Sequence, residues 1–328
     1  MGMQLRTVSD LHRCINTNLW RVPPDTGLLV GTSQGGMLAA SIIGNHLGIP
    51  VTALDAPSRH PPPVDARPRR DDASGGKPHV LLVDDVFANP APTDDRLAES
   101  ALTRLEGWTG APPARLTVFS EGSEALVGTT ERIVLEVVSP PAVYEWSLFR
   151  SPLLARICLD IDGVLCVDPT SEENDDGERY REFLQYGSPL FLPSEPVMAL
   201  VTNRLEKYRT PTQDWLARNG VRYDALIMMD EPDARARTRA DKQASHKAQA
   251  YLRTGAELFV ESDPRLAWEI AQLARRRVLA FPDSLVIDPT RPGKAAVRLE
   301  RTRRRARRMK RVARSAARVA YGRLQRTS

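Results

Sequence analysis

Residues 157–170, ICLDIDGVLCVDPT, place two aspartates two positions apart behind a short apolar run. At the end of a strand that spacing sends Asp160 and Asp162 in the same direction, and Gly163 after them permits a sharp turn. Further along, the apolar runs 198–201 and 258–260 end in Thr202 and Glu261, with Asp263 two residues beyond and Lys247 sixteen residues before it. Carboxylates placed in this way can act as nucleophiles or hold a divalent cation such as Mg²⁺. A second group lies nearer the N-terminus. There VGTSQGGMLAA carries Gly31, Gly35 and Gly36, which allow close backbone approach, and VLLVDDVFANPAPT sets Asp84 and Asp85 behind an apolar run.

The elements that must hold these residues alternate apolar runs with amphipathic stretches, the pattern of an α/β protein with two parallel-sheet, Rossmann-like domains. In the first domain, strands are predicted over 28–30, 51–54, 80–83, 116–119 and 134–138, with helices over 37–47 and 94–105. Residues 57–79, rich in Pro, Gly and charge, read as a surface excursion. After Pro140 and Pro141 the periodicity restarts, with strands over 157–159, 198–201 and 258–260 and helices over 212–219, 247–252 and 266–275. Three strands that each end in a polar residue point at one crevice, and in open parallel sheets ligands bind at the carboxyl ends of strands. The reading divides the chain into 1–150, 151–297 and a tail, 298–328.

The run from Asp160 resembles the first motif, DxDGVL, of the haloacid-dehalogenase (HAD) superfamily of phosphohydrolases. The resemblance implies that Asp160 is the nucleophile that forms an aspartyl-phosphate. It makes Asp162 the acid that protonates the leaving alkoxide and the base that then activates water. It also implies that Thr202, in ALVTNRLEKYR, binds the phosphoryl group and that Lys247, with Lys242 as fallback, neutralises charge. Asp160, Asp162, Glu261 and Asp263 would be the metal carboxylates; the family usually has Asp where Glu261 stands, which leaves open whether Glu261 or Asp263 ligates directly. About thirty residues separate the first two motifs, too few for a large cap. The implied substrate is bulky or borne on a carrier.

The run ending in Asp84 and Asp85 resembles the phosphoribosyl-diphosphate (PRPP) motif of type I phosphoribosyltransferases. The resemblance aims this pair at the ribose hydroxyls and the following loop, with Asn89 and Thr93, at the 5-phosphate. Pro90 and Pro92 remove two N–H donors from that loop. Gly31, Gly35 and Gly36 resemble the diphosphate-binding loop, with Gln34 where relatives carry arginine. The combination, including PPAVYEWSLF, DDGERYREF and TNRLEKYR, is similar to bacterial surface-polysaccharide proteins that join such a transferase to a HAD phosphatase. It implies transfer of phosphoribose from PRPP to a glycan or lipid-linked glycan, then Mg²⁺-dependent removal of the 5-phosphate to leave a ribofuranoside. Two alternatives stay open: a nucleobase or nucleotide salvage enzyme, and a phosphatase regulated by a non-catalytic PRPP-binding domain.

With 328 residues, 41% hydrophobic and 27% charged, the chain can bury two cores and is not disordered as a whole. Cys14, Cys158 and Cys166 are too few and too scattered for a disulfide framework or a zinc site, and read as buried filler. His12, His46, His60, His79 and His246 show no metal-ligand spacing. Trp146 and Trp268 are expected at the domain junction and on the sheet. The N-terminus lacks the apolar core of a signal peptide, and the uncharged run 26–54 is broken by glycines, Asn45 and Pro50, so a cytoplasmic protein is expected. Residues 298–328 hold thirteen Arg or Lys and one Glu, net +12; subtracting this from the whole-chain +5 leaves a body of −7. The tail suits a basic helix lying on an anionic membrane surface. Nucleic acid is also compatible, although Tyr321 is the tail's one aromatic residue.

Overall fold

The computed structural model describes residues 2–54, 79–87, 113–122, 132–233 and 242–290. The chain divides into two compact units, Met1–Leu148 and Phe149–Ser328.

In the first unit β1 (Gln4–Arg6) leads into α1 (Val8–Asn18), whose start is closed by reciprocal hydrogen bonds between Thr7 and Asp10. There follow β2 (Thr26–Gly31), α2 (Gln34–Leu47), β3 (Val51–Ala53), β4 (His79–Phe87), β5 (Ala114–Glu121), β6 (Arg132–Val138) and β7 (Ala142–Tyr144). Five strands form a parallel sheet in the order β3-β2-β4-β5-β6, while β1 and β7 pair separately, also in parallel. Leu28 to Val30 and Val80 to Val83 are buried, as expected of strands covered on both faces.

The second unit contains β8 (Ile157–Leu159), α3 (Glu178–Tyr186), β9 (Val197–Leu205), α4 (Arg209–Arg218), β10 (Tyr223–Met229), α5 (Lys242–Thr254), β11 (Leu258–Glu261), α6 (Pro264–Ala274), β12 (Val278–Ala280) and β13 (Leu285–Ile287). Its sheet runs β10-β9-β8-β11-β12-β13, parallel except for the antiparallel pair β12/β13. Ala244, Ala248 and Tyr251 of α5 pack with Leu266, Ala267 and Ile270 of α6 and with Cys158 and Phe259 of the sheet.

Both sheets reverse direction of growth once. From β2 the chain adds β3 on one side, then returns to place β4 on the other; from β8 it adds β9 and β10, then returns to place β11. The β2/β4 and β8/β11 gaps are therefore the two topological switch points, where a crevice opens beyond the carboxyl ends of parallel strands.

Some boundaries differ from the sequence reading. β4 does not stop at Val83: Val86 pairs with Phe119 and Phe87 with Ser120, so Asp84 and Asp85 lie within a strand that β5 prolongs. His79 opens this strand and is no part of a surface excursion. β9 continues past Thr202 to Leu205, and α5 starts at Lys242, so Lys247 sits in its second turn and does not open it. Helices α1 and α3 and strands β1, β7, β10, β12 and β13 were not expected. The helix predicted over 94–105 and the basic tail lie outside the described residues, as do residues 57–78.

Candidate functional site

The β8/β11 crevice holds a cavity of about 390 Å³ lined by Asp160, Asp162, Asp168, Asn203, Lys247, Glu261, Ser262, Asp263 and Leu266. β8 ends at Leu159 in the middle of the sheet, so Asp160 emerges where the crevice opens, and its Oδ1 accepts the N–H of Ile161 at 2.8 Å. Gly163 takes φ +73°, and a Cβ there would stand 2.5 Å from that of Ser262. This turn brings Asp162 back over the site, and Ser262 Oγ donates to the Asp162 carbonyl at 2.9 Å.

Lys247 is fully buried on α5, and its Nζ lies 2.6 Å from Asp160 Oδ2 and 2.7 Å from Glu261 Oε2. Burial pulls an ammonium down, but Asp160 and Glu261 more than offset this, and the Lys247 pKa is raised. One ammonium cannot neutralise two carboxylates. Burial, and then the charge of Glu261, accordingly hold the Asp160 carboxyl well above the ordinary range, with Lys247 opposing in part. Asp168, beyond the turn that carries Asp160 and Asp162, is raised by burial and then by Asp162 and Glu261.

Thr202 is buried but is not among the residues lining the cavity; its hydroxyl accepts the Arg204 N–H at 3.2 Å, and Asn203 faces the cavity in its place. Asp263 lines the cavity and also caps α6, accepting the Arg265 N–H at 2.7 Å ahead of Pro264. The fallback Lys242 instead pairs with Glu231 and is not part of this cavity. His246 reaches the Thr202 carbonyl at 3.2 Å; burial, then Lys247, lower its pKa.

Among the described residues no three His, Cys, Asp or Glu side chains stand gathered as a ready metal cage. The donor set nevertheless fits a hard divalent cation. Asp160, Glu261 and Asp168 offer carboxylate oxygens in surplus over Lys247, and Asn203 Oδ1 is buried without a hydrogen-bond partner.

Sequence reasoning overlooked Arg204, Asn203, Asp168 and Ser262. Arg204 is 1% exposed and grips Asp162, with Nη2 2.6 Å from Oδ1 and Nε 3.2 Å from each oxygen. Its signal was the alternation of β9: Thr202 and Arg204 share a buried face, where an arginine needs a partner. All three cysteines are buried and free; burial pushes the Cys158 thiol up to about 11 and also raises Cys166, so neither is a thiolate nucleophile at neutral pH.

In the first unit the β2/β4 crevice brings Gly31, Gly35, Gly36, Asp84 and Asp85 together. A Cβ on Gly36 would meet the Val83 carbonyl at 2.4 Å and one on Gly35 the Asp85 carboxylate at 2.0 Å, so the loop rests directly on the acidic pair. Thr32 Oγ1 donates to Asp84, Ser33 Oγ to Asp85 Oδ1 at 3.1 Å, and Trp146 Nε1 to Asp85 Oδ2 at 2.7 Å. Trp146, expected as junction packing, is thus a partner of the acidic pair, whereas Trp268 packs on the core beneath α6. Arg132 lies 3.7 Å from Asp84 and 4.3 Å above the Phe87 ring. Burial raises the Asp84 pKa against the Thr32 hydrogen bond and Arg132. Asn89 and Thr93 lie outside the described residues.

No protein-family model and no curated protein matches the chain. Among solved structures it is similar to the crystal structure of purine phosphoribosyltransferase from Pyrococcus horikoshii Ot3, at 15% identity and TM-score 0.31, over 44% of this chain and 94% of that one. It is also similar to a hypothetical protein from Neisseria gonorrhoeae with bound ppGpp, at 17% identity and TM-score 0.30, over 44% and 90%. By its own sheets and crossovers the chain is an α/β protein built on two parallel, Rossmann-like sheets.

Proposed function

We propose that the second unit is a HAD-type phosphohydrolase that works through an aspartyl-phosphate on Asp160. The reading is carried by one observation: a buried ammonium shared by two buried carboxylates, one of them ending the central strand at the switch point and opening on a cavity. Asp160 Oδ attacks phosphorus while the bond to the leaving oxygen breaks and its electron pair departs with that oxygen, which takes a proton from Asp162. Water then attacks the same phosphorus and gives a proton to Asp162; the P–O bond to Asp160 breaks and restores its carboxylate. The sum is a phosphate ester and water converted to an alcohol and inorganic phosphate. Lys247 holds Asp160 in place and screens the incoming phosphate charge. Asp160, Glu261 and Asp168, with Asp263, would hold Mg²⁺, which supplies Lewis-acid screening of phosphoryl oxygens when bound.

The first unit, in this proposal, binds PRPP with the glycine loop about its diphosphate and Asp84 and Asp85 at the ribose. It transfers phosphoribose to a glycan hydroxyl, and the phosphatase then removes the 5-phosphate. Support comes from the juxtaposition of loop and acidic pair at the first switch point and from the sequence resemblance. A second reading, a unit that binds PRPP without turnover, is favoured by the bonds that Ser33 and Trp146 already make to both oxygens of Asp85. Incubation with PRPP, Mg²⁺ and extracted lipid-linked glycans, followed by mass spectrometry, tests the pair. A ribosyl increment supports the transferase, whereas PRPP binding without diphosphate release supports the second reading. Diphosphate release with orotate, uracil or purines as acceptor instead points to salvage.

A further inference from the structure

Arg204 heads the largest fully buried side chains of the described residues. A buried guanidinium costs several kcal/mol of lost hydration unless its donors are matched, so its partners define its task. Here they converge from three directions. The nucleophile loop offers Asp162, at 2.6 and 3.2 Å, and Cys166 Sγ, at 3.2 Å from Nη2; α4 offers Thr212 Oγ1, at 3.4 Å from Nη1; α3 lays the Phe183 ring 6.0 Å from the guanidinium carbon. β9 overruns the end of β8, which stops at Leu159, and so carries Arg204 alongside the loop. Through Nε and Nη2 Arg204 reaches both oxygens of the Asp162 carboxylate, and a planar fork of this kind sets the carboxylate's orientation as well as its place.

We infer that Arg204 is the positioning residue that aims Asp162 at the leaving oxygen, an inference that rests on the phosphohydrolase reading. The proton on Asp162 must travel to the leaving oxygen as the P–O bond breaks. A strongly basic alkoxide depends on that delivery and a nitrophenolate does not. Loss of aim therefore slows the departure of an alkyl alcohol selectively, whereas loss of fold or of nucleophile slows every substrate alike.

The experiment compares kcat/KM, which reports the step that expels the leaving group, for 4-nitrophenyl phosphate and for a methyl riboside 5-phosphate. The full chain with Mg²⁺ is used, as wild type, Arg204→Lys and Arg204→Gln. Lysine keeps the charge without the fork. The expected result is that 4-nitrophenyl phosphate hydrolysis stays within about threefold of wild type while the alkyl phosphate falls about ten- to a hundredfold, the range of general acid catalysis. A parallel fall, or no change, in both substrates overturns the positioning role and leaves the phosphohydrolase standing. Wild-type protein that hydrolyses neither substrate overturns both. If neither variant retains the wild-type circular dichroism spectrum, Thr212→Val, which removes a single contact of the guanidinium, is read by the same ratio; an unchanged ratio there overturns the role.

Discussion

Asp160, Glu261 and Lys247 bury two carboxyl groups against a single ammonium, and this imbalance sorts the effects of substitution. Asp160→Asn removes the surplus carboxylate. It is expected to leave unfolding free energy within about 1 kcal/mol of wild type, while phosphate-ester hydrolysis falls by at least about 10³-fold. Lys247→Met strands both carboxylates and should cost about 3–5 kcal/mol in chemical denaturation. A stable Lys247→Met variant would refute the charge arithmetic. Asp84 gives the pH dependence. Its pKa is raised on folding, chiefly by burial, so the native state holds its proton to higher pH than the unfolded chain. The stability it contributes is present below the ordinary Asp value and is lost as pH rises through the raised one. Asp84→Asn keeps an acceptor for Thr32 and should gain stability relative to wild type as pH climbs through that window. Denaturation curves at a series of pH values check this; a constant difference contradicts it.

At the level of elements, the chemistry is placed by two strand ends and two loops. Gly163 combines φ +73° with a Cβ position 2.5 Å from Ser262, so Gly163→Ala strains the turn and pushes β11 from the nucleophile loop. It should cost about 1–3 kcal/mol and lower phosphatase activity together with thermal stability, as a melting curve beside an activity assay will show. Apolar runs ending in polar residues were readable as strands, because a strand covered on both faces has no alternation to hide its end. Less readable was how far each strand ran. β4 and β9 are prolonged by their neighbours, and nothing in VDDVF or VTNRL announces that Val86 will find Phe119 or that Arg204 will find Asp162. Helix α5 likewise begins at Lys242, five residues before Lys247, since Lys242, Gln243 and Ala244 are good helix formers that carry the helix back from it. Lys247, with Lys242 as fallback, was singled out by the family resemblance. Its place on the buried face of α5 came from packing against α6.

For the molecule as a whole, two units each carry a candidate site at a topological switch point, and the order of the two steps is testable in the intact chain. On the proposed two-step reading, Asp160→Asn given PRPP and a glycan acceptor should accumulate a phosphorylated glycoside and wild type the ribofuranoside; loss of the first transfer instead would sink the order. The basic tail, net +12 against a body of −7, is expected to hold the full chain on anionic vesicles in flotation, in a salt-sensitive manner, and a 1–297 truncation to release it. Among the described residues no helix is long and apolar enough to cross a membrane. Residue order was enough to establish an α/β chain with carboxylates behind apolar strand runs, because hydrophobic period and polar punctuation are local properties of a chain. Which of those groups face one another was left to folding. That Lys247 bridges Asp160 and Glu261, that Trp146 holds Asp85 and that Arg204 clasps Asp162 all depend on contacts between residues 14 to 87 positions apart. Such pairings are chosen by strand order and burial, which no single segment contains.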